Sequence, residues 1–196
     1  MVQNEAGKLA CVLGRWDEAM RYSRAAISLD PFNPVLIGNS GSCLLRSGHL
    51  VEAEEQIRHA LAISPTYDPE WALLGRVLLA RGELSAALDA FRHTTWRHNR
   101  LVGLTAVYYA MGRRAESDQA MRQLEAEAAA EDPYEVAEGR AYRGEFEEAL
   151  KWLERAGAQK NVDVVVAAVK GDTAFARYTG DPRYRAWLRK MNLPDD

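Results

Sequence analysis

The stretch FRHTTWRHNR, residues 91 to 100, gathers two histidines, a tryptophan and three arginines within ten positions. Imidazoles can ligate a metal, an indole among guanidinium groups can stack on a nucleobase, and the same residues can simply finish a helix. His93 and His98 are five apart, not the i, i+4 spacing that sets two ligands on one helix face, and no Cys, Asp or Glu lies between them; a metal site is not expected. Trp96 beside arginines suits base stacking. A formal net charge of -3 gives no general attraction to a polyanion, so neither nucleic acid nor a membrane surface is expected as a partner. The stretch reads as an irregular junction, with Phe91 to about Trp96 continuing one helix and residues 97 to 100 forming a turn.

What positions those residues is a soluble, globular chain. Of 196 residues, 47% are hydrophobic and 27% charged, with 7 prolines and 14 glycines, which suits one domain or one run of repeats. The longest apolar run, VDVVVAAV at 162 to 169, is too short to span a bilayer, and the opening MVQNEAGKLACVLGRW lacks the basic-then-apolar layout of a signal peptide. The expected location is cytoplasmic, or periplasmic if the parent is a membrane-anchored regulator. Cys11 and Cys43 are too few for a disulfide framework or a zinc cluster and read as small buried thiols. There is no phosphate-binding glycine loop, H-E-x-x-H or nucleophile elbow, and carboxylate-rich stretches such as EAEAAAED read as solvated helix faces; no enzyme and no cofactor is expected.

Periodicity sets the architecture. Glycines recur at Gly14, Gly48, Gly82, Gly112 and Gly144, with gaps of 34, 34, 30 and 32. Five residues after each comes Ala19, Ala53, Ala87, Ser117 or Ala149. The glycine marks a turn and the small residue a close helix contact. The gap of 30 removes about one helical turn, which nearly preserves facing, so a stack of repeats can continue through it. In the third copy Trp71, Leu74, Gly75 and Leu78 precede Gly82, and Pro31 and Pro65 separate successive copies.

Thirty-four residues with W-x2-L-G early, G-x4-A in the middle and a closing proline resemble the tetratricopeptide repeat. The resemblance covers about residues 1 to 157 and is looser in the last two copies, where Thr105 stands for glycine or alanine, Ser117 for alanine and Arg140 for tyrosine. It implies an all-α fold, a right-handed alpha-alpha superhelix of about five hairpins (1–33, 34–67, 68–98, 99–129, 130–157), followed by a helical cap over 158–196. Each hairpin must bury its apolar stripe on its neighbours. Small residues at Gly7, Gly41, Gly75 and Ala137 let the helix axes approach.

The end of the chain, AYRGEFEEALKWLERAGAQKN and then GDPRYRAWLRKMNLPDD, is similar to the C-terminal end of bacterial signalling proteins in which such an array follows an adenylate cyclase or winged-helix effector. Asp181 and Pro182 make a helix start, and Tyr184, Trp187, Leu188 and Met191 an apolar stripe that would seal the array. The first repeat begins almost at Met1, which suggests the C-terminal portion of a longer protein, or an end buried in a homodimer.

The resemblance also implies a concave groove for an extended or helical peptide. Its inward slots hold Asn39, Ser42 and Arg46, then Arg76, then Tyr109, then Tyr134, Glu138 and Tyr142. The arginines suit a carboxylate or phosphate, Asn39 a backbone amide, and the tyrosines amphipathic contact. Neither the cation set that captures chaperone C-termini nor the asparagine ladder of the glycosyltransferase relatives is present. The implied function is a protein- or peptide-binding scaffold or sensory module of a bacterial regulatory system. Competing readings are a self-association module and the non-catalytic part of a cyclase or transcription regulator.

Overall fold

The computed structural model describes residues 2–158, 169 and 171–193. Two compact units result, Met1–Thr94 and Thr95–Asp196. The first contains α1 (Val2–Val12), α2 (Trp16–Leu29), α3 (Pro34–Arg46), α4 (Leu50–Ile63), α5 (Asp68–Ala80) and α6 (Leu84–His93). The second contains α7 (Arg97–Ala110), α8 (Arg114–Ala128), α9 (Pro133–Tyr142), α10 (Phe146–Ala158), a 3-10 turn at Ala176–Tyr178 and α11 (Pro182–Lys190). Among the described residues there is no strand.

Local chemistry explains the boundaries. Asn33 Oδ1 accepts from the amides of Val35 (3.1 Å) and Leu36 (3.4 Å), and Pro34 fills the first helical position, where its missing N–H costs nothing. Each hairpin turns on a periodic glycine. Gly48 and Gly82 have φ of +83° and +79°, the left-handed region that a side chain disfavours. The reversed backbone brings the His49 amide to Leu44 O at 2.9 Å and the Glu83 amide to Leu78 O at 2.9 Å, closing orphan carbonyls at the ends of α3 and α5.

Within the first unit, α1 packs on α2, α3 on α4 and α5 on α6, while α3 also meets α1 and α5, the first helices before and after it. The small residues sit where axes come closest. Ala19, Ala53 and Ala87 are fully buried. A Cβ on Gly41 would fall 2.7 Å from Ile57, and one on Gly75 2.6 Å from the Phe91 ring. Ile37, Ile57, Val77, Leu78 and Phe91 fill the space these residues leave.

The junction differs from the expectation. α6 stops at His93 rather than running to Trp96, and residues 97 to 100 form the first turn of α7 rather than a loop. The ring of His93 stacks on Trp71 with centroids 4.4 Å apart, and the buried Thr94 donates its hydroxyl to Asp68. Both contacts fasten the end of α6 to the start of α5, and the extended backbone at Thr94 that they hold cannot continue the helix.

In the second unit the looser slots find other partners. Ser117 donates Oγ–H to the backbone carbonyl of Thr105 at 2.9 Å, which gives the buried serine hydroxyl an acceptor, whereas the buried Thr105 Oγ1 has none. Arg140, where the pattern favours tyrosine, bridges Glu125 (2.5 Å) and Glu145 (2.7 Å). The C-terminal stripe is buried as expected: Tyr184, Trp187 and Leu188 are 2%, 2% and 6% exposed, and Met191 is half-buried. They pack with Phe175, Tyr134, Phe146 and Leu153 in one cluster. Asp181 Oδ1 caps α11 by accepting from the Arg183 amide at 2.8 Å. Of the apolar run 162–169, only Val169 lies within the described residues, and it is buried. Among the described residues no helix is long and apolar enough to cross a membrane.

Candidate peptide-binding face

On α3 of the first unit, Leu36, Asn39, Ser42 and Arg46 recur at helical spacing and are all half-buried. The stripe is therefore apolar at one end and cationic at the other, about 15 Å apart at 1.5 Å per residue. Asn39 Nδ2 donates to Asn4 Oδ1 on α1 at 3.0 Å, an amide bridge between the first helices of neighbouring hairpins. Asn4 and Leu36 line a cavity of about 400 Å³, together with Gln3, Leu29, Asn33 and Val35. Its open rim sets the apolar Leu29 and Val35, 77% and 39% exposed, beside the exposed Asp30. At the other end, Arg46 lies near enough to Cys11 and Cys43 for its charge to favour their thiolates. Arg76 is half-buried on α5.

The tyrosine slots of the second unit fare differently. Tyr109 is half-buried, with the Arg114 guanidinium 3.5 Å from its ring centroid and that of Arg143 at 5.8 Å. Tyr134 and Glu138, expected in an open groove, are 7% and 2% exposed. The Tyr134 hydroxyl donates to Asp172 Oδ2 at 2.7 Å, and burial, with Asp172 beside it, pushes the phenol well above its ordinary range. The Tyr142 hydroxyl meets Thr173 Oγ1 at 2.6 Å. Residues 172–178 thus cover α9, taking the contacts assigned to a ligand at these positions. Tyr178 adds a bond from its hydroxyl to Ala141 O and stacks on Phe146 at 4.0 Å.

The remaining residues of the 91–100 stretch are engaged within their own units. Arg97 pairs with Glu127, Nη2 to Oε1 at 2.6 Å, and the ion pair pulls the Glu127 carboxyl below its ordinary value. His98 Nδ1 lies 3.1 Å from Glu135 Oε2. Trp96, half exposed, lines a shallow cavity of about 300 Å³ with Arg97, His98, Asn99 and Glu135. Among the described residues no three His, Cys, Asp or Glu side chains converge.

One buried group escaped the sequence reading. Glu70, in the first turn of α5, is 3% exposed, and its Oε2 has no hydrogen-bond partner. Its carboxylate occupies the space left by Gly38, where a Cβ would fall 1.8 Å from Oε1. Burial pushes the carboxyl up to about 7.

With this geometry the comparisons with known proteins agree. The family described as "Tetratricopeptide repeat" matches residues 13–74. The chain carries tetratricopeptide repeats. It is 34% identical to human tetratricopeptide repeat protein 7A over 85 residues, which is 43% of this chain and 10% of that protein. It is 32% identical to mouse RNA polymerase II-associated protein 3 over 87 residues, 44% of this chain and 13% of that protein. It therefore spans only about a tenth of the length of these curated relatives. Among solved structures, a thermophilic tetratricopeptide repeat protein from Thermus thermophilus is similar in fold, with a TM-score of 0.65 at 22% identity, over 88% of this chain and 97% of that one. Tetratricopeptide repeats are protein–protein interaction scaffolds, and the paired-helix repeats here are of that kind.

Proposed function

We propose that this tetratricopeptide repeat protein is a non-catalytic scaffold that binds a segment of a partner protein on the α1–α3–α5 face of its first unit. The observation that carries this is the polarity of the Leu36–Asn39–Ser42–Arg46 stripe, which runs from a cavity lined by Leu29, Val35 and Leu36 to a guanidinium. A fitting ligand has a large apolar side chain for the cavity and a carboxylate for Arg46 and Arg76. In an extended peptide about 15 Å corresponds to four or five residues, and we assign Asn39, whose Nδ2 donates to Asn4, to accept through Oδ1 from a backbone amide between them. The second unit has its Tyr134 and Tyr142 slots filled by its own residues 172–178, and there Tyr109 is the slot that stays partly open. We keep the five-hairpin frame with its C-terminal cap, and a sensory or scaffolding place in a bacterial regulatory system, as parts of this proposal.

The test is selection from a random peptide library on the wild-type chain and on an Arg46→Glu, Arg76→Glu double variant of equal melting temperature. Enriched peptides carry an acidic residue four or five positions from a large apolar one and are lost on the double variant. Equal enrichment on both chains overturns the proposal.

Self-association is a second reading, favoured by Val2 and Leu9. Two turns apart on α1, they are 83% and 60% exposed. A second copy would cover them, and light scattering over a concentration series decides: a monomer throughout rejects this reading.

A further inference from the structure

Cys11 on α1 and Cys43 on α3 are the two cysteines of the chain, and the fold sets them side by side. They share one buried cluster with Ala10 and Ala19, and their thiols are joined by a hydrogen bond. The placement follows the packing register. Gly38 and Glu70, which touch where α3 meets α5, are 32 positions apart, and so are Cys11 and Cys43 where α1 meets α3. Neither thiol serves the binding face directly: Cys11 is 8% and Cys43 2% exposed. Core packing needs only small apolar groups at these positions, and two thiols in contact are capable of something alanines are not.

We propose that Cys11 and Cys43 form a modification site, a dithiol that a small-molecule disulfide oxidant closes into an intramolecular disulfide stapling α1 to α3. The nucleophile is Cys11, the more exposed of the two thiols at 8% against 2%. Its thiol is held below the ordinary range by the hydrogen bond from Cys43, against the opposing effect of burial and with help from the Arg46 charge. Cys43, the donor, is pushed up by the same bond and by burial, so it keeps its proton longer.

With glutathione disulfide the steps balance. The Cys11 thiolate attacks one sulfur of the oxidant, an S–S bond forms to Cys11, and the first glutathione thiolate leaves with the electron pair and takes up a proton. Cys43 then loses its proton and attacks the Cys11 sulfur, and the second glutathione leaves as thiolate. Two protein thiols are oxidised to one disulfide and one oxidant molecule is reduced to two thiols. Because both sulfurs are buried, the first step needs a local parting of α1 from α3, and its rate reports that opening. The staple then fixes the spacing of the two helices that carry the Asn4–Asn39 bridge and the 400 Å³ cavity. The proposal does not depend on what the face binds.

The whole wild-type chain is incubated natively with glutathione disulfide, then unfolded, treated with N-ethylmaleimide and digested for mass spectrometry. Expected are a Cys11–Cys43 cross-linked peptide within one molecule, loss of both alkylatable thiols, and a melting temperature raised by several degrees that dithiothreitol restores. A Cys43→Ser chain stops at a glutathione adduct on Cys11 and shows no rise. Full alkylation of both thiols after exposure, stable adducts on both cysteines without closure, or cross-links only between molecules would each overturn the assignment.

Discussion

The Phe91 ring occupies the place where a side chain at residue 75 would have to go: three of its carbons lie 2.6 to 2.8 Å from a Cβ built on Gly75. This contact fixes how closely α5 and α6 approach. Gly75→Leu therefore forces the ring or the helices apart, at a cost of about 1 to 3 kcal/mol. Thermal unfolding should show a melting temperature lower by several degrees. An unchanged melt would mean that the two helices do not meet through these residues.

Glu70 makes the first unit sensitive to pH in an unusual direction. Its native carboxyl holds a proton up to about pH 7, whereas the ordinary value is 4.5. The native state thus binds the proton more tightly than the unfolded chain, and this contribution to stability is full below pH 4.5 and lost as pH rises to 7. The shift bounds the effect at about 3 kcal/mol. Glu70→Gln should be more stable than wild type at pH 8 and close to it near pH 4.5. Parallel melting curves for the two chains across that range would show that residue 70 is not the titrating group.

Trp187 is 2% exposed and packs with Tyr184 and Leu188 against the cluster built on α9 and α10. Trp187→Ala should cost about 3 to 5 kcal/mol in denaturant unfolding of the second unit. Wild-type stability would refute the packing of α11.

The bond from the Tyr134 hydroxyl to Asp172 ties residues 172–178 over α9. Tyr134→Phe keeps the ring and removes the donor, at a cost of about 1 kcal/mol. Hydrogen exchange should quicken at residues 172 to 178 and stay unchanged in the first unit. Unaltered exchange would show that the segment is held without this bond.

Much of the fold was legible because its determinants are local. Gly14, Gly48, Gly82, Gly112 and Gly144 all adopt positive φ, and the small residues five positions later, four alanines and Ser117, are buried, so turn and contact could be read from the pattern of glycines and small residues. The end of α6 was not legible, because it depends on Trp71 and Asp68, more than twenty residues away, which stack on His93 and accept from Thr94. The partners of Tyr134 and Tyr142 were not legible for a related reason: a tyrosine at an inward slot looks the same whether it meets a ligand or the Asp172–Thr173 segment of its own chain. The cysteine pair and the Gly38–Glu70 contact follow an offset of 32, not the repeat period of 34. A search for residues one period apart passes over both. Asn39, Ser42 and Arg46 recur at local helical spacing on α3, and they and Arg76 on α5 are half-buried.

The central claim is that a peptide binds along α3 with its apolar residue at the cavity and its carboxylate at the arginines. Heteronuclear NMR titration with a peptide from the library selection tests it most directly. The account predicts that amide shifts concentrate at Leu36, Asn39, Ser42, Arg46 and Arg76, with saturation lost in the Arg46→Glu, Arg76→Glu chain. Shifts confined to the exposed edge of α1 around Val2 and Leu9, or to the second unit, would contradict it.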